Sequence, residues 1–457
     1  MSRVRAPSLT PYGDRKFPSV PKSPYPCNTF VTEREHSPLM TNLAINGADT
    51  AWVLASGALV LLMTPALALF YGGLVRTKST LNMMMMSFTA IGVGTIVWIL
   101  WAYSLAFGPD TGQGLIGDLT HVGLNGTLDT AVGGEGHQIP TLAFVMFQMT
   151  FAIITVALLS GAIADRAKFG AWVLFIALWV TLIYAPIAHW AFASQGGEGG
   201  WIIDRLGALD FAGGTVVEIN SGAAALALAI VLGKREGFKR DAMRPHNIPF
   251  ILLGAGLLWF GWFGFNAGSA LTAGHLASVA MINTQIATAA AAMSWIAYEK
   301  VKTGKPTTLG VASGAIAGAV AITPSCGYVT PLGALAIGLV GGVASAYAVS
   351  LKYRFNYDDS LDVVGIHGVG GFVGMIGIGL LASTAANAAG GNGLFVSGSP
   401  DLLVKQLIAA ATVATFSFIG TWLIATAISK TIGFRVSREK EMIGLDTVEH
   451  AESAYDL

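Results

Sequence analysis

Charge and cysteine are the two things this chain has least of. Only 11% of its 457 residues are Asp, Glu, Lys or Arg, against about 25% in an ordinary soluble domain. So few charges cannot solvate the surface of a chain that is 53% apolar. That excludes the two or three soluble domains the length alone would allow. Neither sign is in excess: 26 basic residues balance 26 acidic ones, which excludes a basic surface for nucleic acid. Two cysteines, Cys27 and Cys326, cannot build a disulfide framework or a Cys-based metal site. No glycine cluster ends in Gly-Lys-Ser/Thr, so no ATP-binding loop is expected. No Ser-His-Asp set and no metal-ligand spacing point to an enzyme, and no cofactor or metal is expected. Met83–Met86 reads as gap-filling apolar surface.

What is abundant is apolar side chains and glycine. Mean hydropathy is +0.63 and 57 residues are glycine. Together these predict an all-α polytopic membrane protein with closely packed helices in a lipid bilayer. A crossing needs about 20 apolar residues. Such runs fall near 51–72, 83–107, 141–163, 170–192, 213–233, 248–268, 276–298, 308–324, 329–351, 363–383 and 404–430, which predicts eleven spans with the eighth the shortest. Gly310, Gly314 and Gly318 in that eighth span repeat at the four-residue spacing of close helix packing.

Basic residues orient the spans. They cluster after odd-numbered spans and in the tail: Lys234, Arg235, Lys239, Arg240 and Arg244 follow span five, while loops after even-numbered spans hold only Arg205 and Lys405. The N-terminus is therefore expected outside and the C-terminus inside. Residues 1–39 break the pattern with six basic residues on the outer side, and they lack the apolar core of a signal peptide. Rich in Pro and Ser, they read as a disordered or non-native segment before a natural-looking start at Met40. Residues 40–430 form the membrane domain and 431–457 a tail.

Spans one to five and six to ten are equal in number. An odd-sized unit repeats inverted in the membrane, a plan that puts the conduction site between the halves. The last span of each half carries one titratable residue in a small-residue setting: Glu218 in Gly-Gly-Thr-Val-Val-Glu-Ile-Asn-Ser-Gly, and His367 in Val-Gly-Ile-His-Gly-Val-Gly-Gly. A carboxylate in mid-membrane is costly and marks a functional site. Opposed across a repeat, Glu218 and His367 suit a proton relay. Trp262, Phe265 and Ser269 share one helical face, as do Phe147 and Phe151; aromatic faces attract cations. Asp210 opens span five as an N-cap, and Asp362 opens span ten in the same way. His189 reads as structural.

These residues stand in motifs that resemble the ammonium transporter (Amt/Mep/Rh) family, in its bacterial Amt branch. The motifs are Phe-Tyr-Gly-Gly-Leu-Val-Arg at 70–76, Asp-Phe-Ala-Gly-Gly-Thr-Val-Val at 210–217, Gly-Trp-Phe-Gly-Phe-Asn-Ala-Gly-Ser at 261–269, Thr-Pro-Ser-Cys-Gly-Tyr at 323–328, Asp-Val-Val-Gly-Ile-His-Gly-Val at 362–369, and the tail from Gly444-Leu445-Asp446 to Ala454-Tyr455. The resemblance implies a homotrimer of eleven-helix subunits in the bacterial cytoplasmic membrane, each with its own pore. Its substrates would be ammonium or ammonia, and possible partners methylammonium and, at the tail, a PII-type regulator. By motif, Phe151 and Phe265 would be the gate, Ser269 the outer cation site with Phe147, Asp210 its organiser, Trp262 pore lining, and His367 the second residue of a twin-histidine pair. Glu218 stands at the first twin-histidine position, as in some fungal members. The outer-site tryptophan of many bacterial members falls on Phe192, or with a shift on Trp190.

The expected function is ammonium uptake: bound ammonium loses its proton, ammonia crosses a dry pore, and the proton follows along Glu218 and His367. The alternatives are a passive ammonia channel and an ammonium sensor signalling through its tail.

Overall fold

The computed structural model describes residues 44–455 apart from residue 196. The segment 1–39 and the start at Met40 lie outside the described residues. The described part is mostly helical, with loops between the helices and a short antiparallel hairpin that pairs Ala131–Val132 with Ile139–Pro140.

Among the described residues, ten helices are long and apolar enough to cross a membrane. They are α1 (Gly47–Leu74), α2 (Thr77–Phe107), α3 (Thr141–Ile163), α4 (Phe169–Phe192), α5 (Gly214–Leu232), α6 (Ile248–Gly268), α7 (His275–Thr303), α9 (Pro331–Phe355), α10 (Val364–Leu381) and α11 (Asp401–Thr431). Where the eighth span is expected lies a shorter apolar helix, α8 (Thr308–Ile322). Two short tail helices follow, α12 (Arg438–Ile443) and α13 (Leu445–His450). Hydrocarbon offers no partner to a backbone amide, so runs of Leu, Ala, Ile, Val and Met satisfy their polar groups within helices.

Local chemistry sets the helix starts. The side chains of Asn46, Asn247, Thr307 and Thr330 accept the first free amides of α1, α6, α8 and α9, satisfying donors that a helix leaves unpaired. Inside α4 the turn widens over Val180–Tyr184, just before Pro186, whose missing N–H leaves a carbonyl without its usual partner. α7 runs past the expected 298 to Thr303; the extra turn carries lysines at the basic face.

α1 packs along α6, and α7 packs against both α8 and α9, which also touch each other. Gly314 and Gly318 of α8 face the α7 backbone at Ala291 and Ala287, as the four-residue spacing predicts. α5 and α10 meet where a side chain on Gly222 would overlap the Gly368 Cα.

One face of the bundle gathers the basic loops. Arg235 binds Asp358 at 2.8 Å and Asp165 at 3.4 Å, and Arg76 binds Asp165 at 3.0 Å. The buried Arg166 guanidinium donates to the Asp358 carbonyl and to Ser360 Oγ, each at 2.6 Å. This lattice joins the α1–α2, α3–α4, α5–α6 and α9–α10 connections. The tail lies on the same face: Asp446 accepts the amides of Leu81 and Asn82 at the start of α2, and Lys78 Nζ donates to the Glu441 and Met442 carbonyls. At the opposite face His189 is held by the Ala106 carbonyl at 2.9 Å and by Asp110 at 3.3 Å, the structural role expected of it.

Candidate functional site

The site begins with two helices that start irregularly. Asp210 caps α5: one carboxylate oxygen accepts the amides of Gly213 (2.9 Å) and Gly214 (2.7 Å), and the other accepts the amide of Thr215 at 2.7 Å and its hydroxyl. Gly213 has φ +110°, a conformation side chains other than glycine resist. The capped chain then enters a wide π turn, Gly214–Ile219, that carries Glu218.

α10 begins the same way. Its first turn, Val364–Gly368, is also a π turn and carries His367. The cap, however, is Asp359, whose carboxylate accepts the Val364 amide at 2.7 Å. The expectation for Asp362 is corrected: it has φ +66° and its carboxylate instead pairs with Lys352 Nζ at 2.6 Å. The interval from Asp210 to Glu218 equals that from Asp359 to His367, so the two helix starts use one device. That interval was a usable sequence signal for Asp359, and it was missed.

The two π turns face each other. Glu218 Oε2 lies 2.7 Å from His367 Nδ1, and both side chains are buried. Either Nδ1–H donates to the carboxylate or a carboxylic O–H donates to Nδ1, so the pair can hold one proton in two ways. The other oxygen, Oε1, has no protein partner. The pair opens on a narrow cavity whose remaining lining is almost entirely apolar, including Leu158, Val217, Trp262, Phe265 and Ile366.

Above this cavity the aromatic residues form a continuous stack. Phe151 and Phe265 lie with centroids 4.2 Å apart and planes at 29°. Phe147 follows Phe151 at 4.8 Å, and Trp262 lies 5.7 Å from Phe265. Phe265 therefore belongs both to the stack and to the cavity wall. Trp262 is fixed by an indole N–H donated to Thr323 Oγ1 at 2.9 Å. Ser269 sits one turn beyond Phe265 and donates to its carbonyl at 2.8 Å.

The two candidate outer rings part company. The Phe192 ring lies beside Gly213, on the loop that Asp210 organises. Trp190 instead donates to the Leu115 carbonyl at 2.8 Å and packs on Trp201 and on Phe416 of α11. Tyr71, whose hydroxyl donates to the Leu158 carbonyl, lines the cavity, and Thr323 anchors its Trp262 wall; the sequence motifs contain both but assign neither a role.

Residues 51–455 match the family model described as Ammonium Transporter Family. The chain belongs to this family.

An ammonium transporter of Mycobacterium bovis is 53% identical over 434 residues, covering 90% of this chain and 91% of that one. One from Bacillus subtilis is 49% identical over 408 residues, covering 89% and 98%. Among solved structures, Saccharomyces cerevisiae Mep2 matches with a TM-score of 0.80 at 32% identity, covering 88% of this chain and 92% of that one. A structure described as a sensor Amt protein matches at 0.80 and 28%, covering 88% and 98%. The Ammonium Transporter Family is a family of transporters, not enzymes, and with its ten long apolar helices this member is a multi-pass membrane protein.

Proposed function

We propose that the protein takes up ammonium across a bacterial cytoplasmic membrane by deprotonating it and conducting ammonia. α1 to α5 and α6 to α10 form inverted halves, with α8 the shortest of eleven crossings, the N-terminus outside and the basic face in the cytoplasm. Subunits assemble as a homotrimer, and residues 431–457 form a regulatory tail that meets a PII-type partner.

The cation is drawn to an outer site of Ser269, Phe147 and the Phe192 ring, on a loop organised by Asp210. The ring faces attract it and the serine oxygen accepts from it. To go further it must shed water against the Phe151–Phe265 gate. An ion in an apolar cavity is heavily penalised, whereas neutral ammonia is not. The ion therefore gives up its proton, and ammonia moves past Trp262. The proton is carried by Glu218 and His367, which makes transport electrogenic. Potassium has no proton to give up and is excluded on that ground. Methylammonium shares the chemistry and serves as a tracer.

The observation that carries this reading is the 2.7 Å Glu218–His367 bond in a cavity roofed by stacked rings. Glu218→Gln keeps the size of the side chain and removes its capacity to carry a proton. Ammonium-evoked current in proteoliposomes should fall at least about tenfold. An unchanged current with an unchanged pH dependence would sink the relay. Uptake with no current at all would favour a passive ammonia channel. Failure to restore growth of a transport-deficient host on limiting ammonium would favour a sensor.

A further inference from the structure

We propose that Asp49 is a positioning residue for the outer cation site: its carboxylate, together with the Trp52 indole, holds the turn that carries Ser269. This rests on the reading of Ser269 as part of that site.

The turn between α6 and α7 is not self-supporting. Leu271 has φ +55°, a left-handed conformation that any residue with a Cβ resists. Its local bonds are few: Ala270 N–H to the Ala267 carbonyl at 3.3 Å and Leu271 N–H to the Gly268 carbonyl at 2.9 Å. The first turns of α1 supply the rest. Trp52 Nε1 donates to the Ala267 carbonyl at 3.1 Å, where the turn begins. Asp49 accepts the Ala273 amide at 2.6 Å, where it ends. Between them Gly268 lies so close to α1 that a Cβ there would stand 2.5 Å from Ser56 Cβ, with the Phe147 ring of α3 at 2.9 Å. Asp49, Trp52 and Ser56 share one helical face, so α1 grips the turn at its start, middle and end.

Asp49 is not needed as a cap. α1 is already capped by Asn46, whose side chain accepts the Asp49 amide at 3.0 Å. The buried Asp49 carboxylate bonds no amide of its own helix. One oxygen takes Ala273; the other meets Nδ1 of the exposed His137 at 2.8 Å. His137 belongs to the loop that Asn46 ties to α1 through the Gln138 and Gly136 carbonyls. A charged acceptor on a backbone amide is a strong bond. It fixes the height of Ser269, whose hydroxyl proton is committed to Phe265 and whose oxygen is thereby left to accept from a cation.

The test uses purified full-length protein in proteoliposomes with methylammonium as probe, beside amide exchange of residues 267–274 followed by mass spectrometry. Asp49→Ala should speed exchange in that segment and raise the apparent KM roughly tenfold with little change in Vmax. Asp49→Asn keeps an oxygen for Ala273 and should restore most of both. If Asp49→Ala does not fold, Trp52→Phe carries the same two readouts. Unchanged exchange overturns the proposal. Faster exchange with an unchanged KM also overturns it when Ser269→Ala does raise KM. If Ser269→Ala leaves KM unchanged as well, the outer-site reading falls and takes the proposal with it.

Discussion

Gly371 of α10 lies against α5 at the level of the buried pair, and an alanine there tests whether helix spacing sets the site. A Cβ on Gly371 would stand 2.9 Å from the Glu218 Cβ and 2.9 Å from Ile219 Cγ1, where ordinary contact begins at 3.4 Å. Neither the Glu218 Cβ nor the nearby Ile219 amide can swing away, so the helices must part by roughly half an ångström. The Glu218–His367 bond, now 2.7 Å, would then stretch to the edge of hydrogen-bonding range, about 3.2 Å. Overpacking of this kind costs about 1–3 kcal/mol, and replacing a helical glycine by alanine returns about 1 kcal/mol. Stability should therefore fall only modestly while transport falls sharply. Gly170→Ala is the control, since a Cβ there meets nothing within 4 Å. Melting temperature in detergent and methylammonium uptake, measured on both variants, decide the matter. If Gly371→Ala transports as well as Gly170→Ala, helix spacing does not govern the pair.

Two further outcomes follow from the same geometry. Burial pushes the Asp358 carboxyl up, but the hydrogen bonds and charge of Arg235 outweigh it and hold the group at about 2, against an ordinary 3.8. A carboxylate depressed on folding contributes its stability above its ordinary value and loses it as pH falls toward the folded one, here about 2 kcal/mol; the melting temperature should drop between about pH 4 and pH 2 more steeply than in Asp358→Asn, and equal slopes would refute this. Thr323→Val strands the buried Trp262 N–H at a cost of about 1–3 kcal/mol, so uptake and melting temperature should fall while Thr323→Ser retains both; a valine variant equal to the serine variant would show that the bond does not matter.

Much of this was legible in the residues because membrane helices are written locally. A segment in hydrocarbon must bond its own backbone, so ten of the runs read from hydropathy return as long helices near their expected bounds. The eighth, Gly-rich and short, returns as Thr308–Ile322 and gives way to turns at Thr323. The basic loops read as one face do meet in one lattice around Arg235, Asp165 and Asp358. Glu218 and His367 were each legible as one titratable residue in a small-residue setting, and each sits in a π turn that follows an acidic cap, at the starts of α5 and α10.

Other assignments depended on contacts the sequence does not encode locally. Asp362 and Asp359 are both acidic and both near the start of α10; which one caps it follows from the left-handed turn at Asp362 and the pull of Lys352. Trp190 and Phe192 sit two positions apart on one helix end, so their side chains point in different directions. Only the packing of α11 against Trp190 and of Gly213 against Phe192 separates their surroundings.

By itself the sequence determined a helical membrane protein, its spans, its basic face and the titratable and aromatic residues from which a site could be made. Tertiary structure alone decided that Glu218 and His367 touch across 149 positions, that Phe265 joins the ring stack to the cavity, and that α1 grips the Ser269 turn. The reason is physical: hydropathy and capping act over a few residues, while contact between distant helices depends on where small residues let their backbones approach, as Gly222 does at Gly368.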